Sequence, residues 1–402
     1  MTSFARSAII ALAFTVTSAC SGNDAGPFLA APSTLARIAP GTMGAGPIIS
    51  TQDGGQIYGY DVNWNGTDGI LASAKQLNER SFKVSVETFD TKTAKITRSF
   101  AVHAGSRVTY LVDGIFDNDV ALVTRFNVPK EKFFAYRHYQ IVNPVTSATF
   151  SGSWTPATKD LSVLEHAENQ STPTSVVYAL ELQSSDAPDL VVSNIAKNST
   201  HIIHLDPSLF SDNNFPQLAQ DTVHNRAVMA VSPGNGHAGT VPDIETVDLK
   251  SGKTSGFQGV DCPGSEACGE ANGISYDSGT GVACTTTQID AGVEFYDIAK
   301  QSGFREQLPI GTGNIAEYYS GGYVASDPIN KLCLVAQPNS AAGSGSSIQV
   351  YDENGTFVES INGLNFTFGF SLAVPVTIAI NPSTRTGWVN GPAVNQLQEF
   401  SY

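Results

Sequence analysis

One pattern recurs along this chain and limits its fold more than any other feature. An alternating strand ends in an aromatic or aliphatic residue, then Asp or a substitute, then a polar turn. The places are Asp90 in VETFDTKTAK, Asn143 in YQIVNPVTSA, Asp206 in IIHLDPS and Asp248 in IETVDLKSGK, then Asp297 in VEFYDIAKQSG, Asp352 in IQVYDENGTF and Ser401 in LQEFSY. Their separations are 53, 63, 42, 49, 55 and 49 residues. A period of this size marks stacked supersecondary units.

A second apolar strand precedes each place, at 69–75, 120–126, 175–182, 226–232, 281–287, 331–337 and 386–391. Several of these follow a tight Asx turn, as in YDSGTG, SDPINK, NPSTRTG and QDTVHNR. The order strand, Asx turn, strand, loop, strand, turn, strand describes a four-stranded blade. One blade cannot cover both of its faces, so the unit has to repeat. The 37 Gly and 20 Pro suit many short strands and turns. The expectation is an all-β, seven-bladed β-propeller. The seventh unit stops at Tyr402, the end of its third strand. The segment 35–39 (LARIA) is expected to supply the missing outer strand, so that the N-terminal segment closes the sheet.

The runs 271–298 (ANGISYDSGTGVACTTTQIDAGVEFYDI) and 321–355 resemble blades of the NHL, YVTN and gluconolactonase-like propellers. The likeness implies architecture first, because propellers host many unrelated functions. For the gluconolactonase-like members it also implies a divalent metal held by Glu, Asn and Asp in the central channel. Glu270, Asn272 and Asp290 are the matching residues. The alternative is that Asn272-Gly273 is a turn and Glu270 is solvated.

The N-terminus reads as an address. Ser7–Val16 is a ten-residue apolar run, too short to span a bilayer. Thr17-Ser18-Ala19-Cys20 resembles a lipobox with Cys20 as the lipidated residue, although Thr17 stands where an aliphatic residue is usual. The alternative is ordinary cleavage near Ala19. Residues 1–19 are thus assigned to a signal peptide, 20–33 to a flexible tether and 34–402 to the propeller. This places the chain in a bacterial cell envelope, lipid-anchored in the outer membrane or periplasm, or else secreted. Formal net charge is −15, from 22 Lys and Arg against 37 Asp and Glu. That balance opposes nucleic-acid partners and docking on anionic lipid, leaving the lipid anchor as the membrane contact.

Export permits disulfides. Beyond Cys20 the cysteines are Cys262, Cys268, Cys284 and Cys333. Cys262 and Cys268 bracket a Pro-Gly loop that suits a local bridge; zinc is the competing reading. Aligned turns put Cys284 and Cys333 on opposite faces of equivalent strands, as a bridge between adjacent blades requires. Packed free thiols are the alternative for that pair.

Two further groups of residues carry chemistry. Asp61, Asn63, Asn65 and Gly66 match the first half of a calcium loop, and calcium is the cofactor for which the sequence offers ligands. A plain Asx-Gly hairpin is the other reading. The loops after the second strands would all emerge on one face, bringing His237, Asp243, Asp290, Asn339, Asn390 and Asn395 around one mouth. No G-x-S-x-G is present. His201 and His204, three apart on a strand, face opposite ways. The expected function is a scaffold binding a small molecule or protein through that mouth. The alternative is a metal-dependent, lactonase-like hydrolase or lyase, and the sequence leaves binding and catalysis both open.

Overall fold

In the computed structural model the residues from 43 to 402 are described, apart from 63–67, 79–80, 107, 118–119, 128–134, 143–148, 153–160, 168–175, 184–188, 195–198, 207–216, 222, 232–242, 258, 261–270, 288–291, 308–323, 338–345 and 367–377. Backbone alone is described over 102–189. Residues 1–40 form a separate unit from 41–402, and every described strand belongs to the second unit.

The described strands form seven four-stranded antiparallel sheets. Six are consecutive in sequence, spanning 56–106, 108–152, 161–204, 217–257, 271–307 and 324–364. The seventh joins three strands of 378–401 to Gly44–Ser50. At six of the seven junctions, including the return of Ile378–Asn381 to Gln56–Val62, first strands contact each other; at the remaining one Leu161–Ala167 contacts Ala135–Val142. First strands are therefore innermost and fourth strands outermost. Antiparallel order then sorts the turns. Hairpins between second and third strands share one end with the connectors between sheets. Hairpins between first and second strands, and between third and fourth, lie at the other end.

The outer strand of the seventh sheet does come from upstream, but from Gly44–Ser50, which pairs with Gln396–Ser401. The expected segment, 35–39, lies outside the described residues. The observed strand carries one buried apolar side chain, Ile49. Its register also shifts between Ala45 and Ile48, so periodicity hardly announces it. A second difference lies in the third sheet. The repeat assigns IIHLDPS to a third strand, yet Ser199–His204 is the outer strand and Asp189–Asn194 the third. Third and fourth strands alternate alike, and only pairing order separates them. Asn194 then holds the Asp place, 51 residues after Asn143 and 54 before Asp248, which restores the period.

Apolar layers fill the spaces between sheets. Between the seventh and first, Ile49, Ile57, Leu71, Phe89, Trp388 and Leu397 pack together. Phe89 meets Trp388 edge-on, with ring centroids 5.0 Å apart. Phe89 can reach that partner because it lies across its cross-strand neighbour Gly69. A Cβ there would sit 2.1 Å from Phe89 Cζ. Gly387 makes the same allowance for Phe400. Between the fifth and sixth sheets, Cys284 and Cys333 lie among Val293, Phe295, Val335 and Tyr351. These two cysteines are at disulfide distance, with Cα atoms 6.5 Å apart, as the opposite-face alignment requires. Cys262 and Cys268 are outside the described residues.

Candidate functional site

Three of the residues expected around the mouth lie at the connector end. Asn390 and Asn395 flank the hairpin between second and third strands of the seventh sheet, closed by Gly391 N–H donating to Gln396 O at 2.8 Å. Asn390 Oδ1 is buried and finds no hydrogen-bond partner among the described residues. The Asn395 backbone is engaged, its carbonyl accepting Thr51 N–H at 3.0 Å. Asp243 begins the third strand of the fourth sheet, at the same end but three sheets away. Burial raises its pKa, against the Gly259 N–H that stabilises the carboxylate. His237, Asp290 and Asn339 are outside the described residues.

Asp61 is at the opposite end, where its carboxylate accepts Val62 N–H at 2.8 Å. Asn63 and Asn65 are outside the described residues, as are Glu270 and Cys20, and the side chain of Asn272 is not described. Among the described residues no three His, Cys, Asp or Glu side chains are placed to hold a metal. His201 Nε2 pairs with Leu249 O at 2.9 Å.

The structure also explains a repeated position that lies outside the Asp motif. Three residues before the Asp place stand Glu87, Gln140, Val191, Glu245, Glu294, Gln349 and Gln398. Six of the seven are Glu or Gln, on third strands. Where side chains are described, several hold the incoming connector or the outer strand. Glu87 accepts Gln52 N–H with both oxygens, at 3.2 and 3.1 Å, and the Ser99 hydroxyl at 3.2 Å. Gln398 Oε1 accepts Asn365 N–H at 3.3 Å. Glu294 works through a relay: Val260 N–H donates to the Tyr296 hydroxyl, which donates to Glu294 Oε2 at 2.7 Å. Gln349 Oε1 accepts the Ser360 hydroxyl of the outer strand. A buried acceptor is needed because the connector residues Gln52, Val260 and Asn365 bring backbone N–H groups that these side chains receive in place of a ladder partner.

Among the described residues, the connector 51–55, which joins the seventh sheet to the first, is tied most firmly. Besides Glu87, it engages Lys83 Nζ at 3.0 Å and the Ser85 hydroxyl at 3.2 Å, both through Asp53 Oδ2. Lys75 Nζ donates to Asp53 O. Burial works against the Asp53 carboxylate, but Lys83, Gly55 N–H and Ser85 outweigh it and hold its pKa low. Burial raises the pKa of Glu87, opposed by Gln52 N–H and Ser99.

The other end carries Asx clasps. Asp221, Asp277 and Asp327 end inner strands, and each is fully buried. Asp221 accepts His224 N–H at 3.1 Å and Arg226 Nε–H at 2.6 Å; Arg226 donates onward to Tyr276 of the next sheet at 3.1 Å. Asp327 accepts Ile329 and Asn330 N–H groups at 2.9 and 2.8 Å, and the Tyr402 hydroxyl of the next sheet at 2.9 Å. Each clasp therefore ties its own turn and the following sheet. The clasp end thus holds sheets together while exposing Val223 and Ile329 on turns two sheets apart, and the connector end exposes apolar side chains on neighbouring sheets. There, hairpins of the adjacent first and seventh sheets present Leu77, 53% exposed, and Val394, 61% exposed.

No family model matches the chain, and no curated protein matches it in sequence. Solved structures do match. Raptor from Chaetomium thermophilum aligns with TM-score 0.56 at 13% identity, over 90% of this chain and 29% of that one. The RRP9 WD40 repeats align with TM-score 0.56 at 12% identity, over 89% of this chain and 99% of that one. The Cps50 (Swd1) β-propeller domain of Myceliophteria thermophila aligns with TM-score 0.52 at 10% identity, over 90% and 99%. The fold is a β-propeller. At such identities the likeness concerns architecture alone, and this chain spans under a third of the Raptor chain. One of these neighbours is a WD40-repeat structure and another a β-propeller domain, and they lend no support to the NHL, YVTN or gluconolactonase-like family in particular. A β-propeller presents its loops on a rigid frame, which suits recognition.

Proposed function

We propose that this protein is an exported, seven-bladed β-propeller of a bacterial cell envelope that binds a protein partner through the connector end. Its signal segment, its tether and lipidation at Cys20 belong to this reading, with the mature propeller following from about residue 34. The observation that carries it is the pair of exposed apolar side chains, Leu77 and Val394, on hairpins of adjacent sheets at that end. Apolar tips beside a rigid, hydrogen-bonded frame lose little conformational freedom on association. Asn390, with its buried unpartnered oxygen, stands on the same hairpin as Val394. The WD40-like architecture suits a scaffold, and the paired Cys284 and Cys333 suit an oxidising compartment.

The test uses the full chain. Partners captured from envelope extract by the wild type are compared with those captured by Leu77→Asp/Val394→Asp. Loss of a stoichiometric partner at unchanged melting temperature supports the proposal. Identical capture by both proteins refutes the assigned face. Labelling with a radioactive fatty acid that disappears in Cys20→Ser supports the anchor, and labelling unaffected by that change refutes it.

A further inference from the structure

The residue that follows the Asp place reaches back toward the preceding sheet. In the seventh sheet it is Tyr402, whose hydroxyl donates to the buried Asp327 of the sixth at 2.9 Å. In the sixth sheet the same place holds Glu353, whose carboxyl group interacts with that of the buried Asp277 of the fifth. The backbone makes the two places equivalent. Tyr402 N–H donates to Arg385 O at 3.0 Å, and Glu353 N–H donates to Lys331 O at 3.2 Å. Asp277 and Asp327 are equivalent too, each ending an inner strand and accepting two N–H groups from its turn.

The slot therefore presents a carboxylate that takes N–H groups from its own turn and further donors from the next sheet, one of which at Asp277 is Lys331 Nζ. Tyrosine supplies an O–H. Glutamate can supply one only as the carboxylic acid. A second observation agrees. Glu353 Oε1 is buried without a hydrogen-bond partner among the described residues. The carbonyl oxygen of a neutral acid tolerates that place far better than half of a carboxylate charge.

We propose that Glu353 is a proton-dependent latch between the fifth and sixth sheets: as the acid it donates to the Asp277 carboxylate, and removing its proton sets a half-buried and a buried anion against each other and loosens that junction. The groups around it are Asp277 and Thr280 from the fifth sheet and Lys331 from the sixth. Glu306, on the outer strand of the fifth sheet, flanks the turn at Gly355. Lys331 Nζ sits 3.0 Å from Asp277 Oδ2, so this cation is already engaged by one carboxylate. Burial, and then Asp277, raise the Glu353 pKa from 4.5 to about 8. Asp277 is held low, against its burial, by Glu353, Lys331 and Gly279 N–H. Because the folded-state value lies above the unfolded one, the folded chain keeps an extra proton between 4.5 and about 8. Stability contributed here is full below that window and is lost as pH rises through it.

The experiment is thermal unfolding of the full chain from about pH 6 to about pH 9, wild type beside Glu353→Gln. Glutamine keeps an N–H donor that does not titrate. The unfolding constant of the wild type is expected to rise roughly a hundredfold more than that of the variant across this range. Superimposable pH profiles overturn the proposal. Should the variant fail to fold, carbon-13 NMR of carboxyl-labelled glutamate in the unmodified protein decides. One glutamate should titrate near 8, above the value of about 7 for Glu399; no glutamate titrating above Glu399 overturns the latch.

Discussion

Removing the Glu87 carboxyl while leaving the strands intact isolates what holds the closing connector. Glu87 is fully buried and receives Gln52 N–H at 3.1 and 3.2 Å and the Ser99 hydroxyl at 3.2 Å. A hydrogen bond to a charged acceptor is worth about 1.5–3 kcal/mol. In Glu87→Ala the exposed Gln52 regains water, whereas the half-buried Ser99 does so incompletely. Together with the small cavity, the cost is about 2–3 kcal/mol. An unfolding entropy of about 2 cal/mol/K per residue, over the propeller, turns that into a fall in Tm of about 3–4 °C. Glu87→Gln should behave differently. It keeps an acceptor oxygen and removes the repulsion from Asp53. Gln398 already performs the task in the seventh sheet. The expected change is under about 1 kcal/mol. Scanning calorimetry gives Tm, and hydrogen exchange at the Gln52 amide reports the bond itself. The reasoning fails if Gln destabilises as much as Ala, because charge would then matter more than the acceptor. It also fails if Gln52 protection is unchanged in the Ala variant.

The remaining predictions concern other layers. Gly69→Ala drives a methyl to within 2.1 Å of Phe89 Cζ, so Phe89 leaves Trp388 and stability drops by about 2–3 kcal/mol in denaturant titration. Asp221→Ala strands Arg226, 25% exposed, and should cost roughly 3 kcal/mol; Arg226→Met in that background should recover part of it. Cys284→Ser opens a crosslink between residues 49 apart, worth up to about 4 kcal/mol. Because both cysteines are 1% exposed, reductant should act on the wild type only after unfolding, as thiol trapping would reveal. Burial raises the Glu399 pKa from 4.5 to about 7, so its contribution is full below that window and is lost as pH climbs through it. Glu399→Gln should flatten that part of the Tm profile.

Repeat, strand order and upstream closure are legible in the sequence because Asp and Asn punctuate turns at a fixed place in nearly every unit. The Glu or Gln three residues earlier is equally visible in ETFD, ETVD, EFYD and QVYD. Its task is hidden because nothing in one strand says that a connector from the preceding sheet arrives opposite it. The closing strand lies further along the chain than its apolar pattern suggests, since Gly44–Ser50 buries only Ile49 among its large apolar residues and LARIA imitates a strand better. Among the mouth residues, Asn390 and Asn395 share a hairpin that sequence order alone implies. Their separation from Asp243 by whole sheets is a consequence of how the circuit is filled.

Local chemistry therefore determined the repeating unit: alternation sets a strand, Asx sets a turn, and a face that one sheet cannot cover demands another. Tertiary structure alone decided the contacts between units. The Tyr402 bond to Asp327 and the Glu353 contact with Asp277 join residues 75 and 76 apart, whereas the facing of Cys284 and Cys333 is already implied by aligned turns. Such bonds depend on which faces meet when sheets stack, and chain-local propensity carries no term for that meeting.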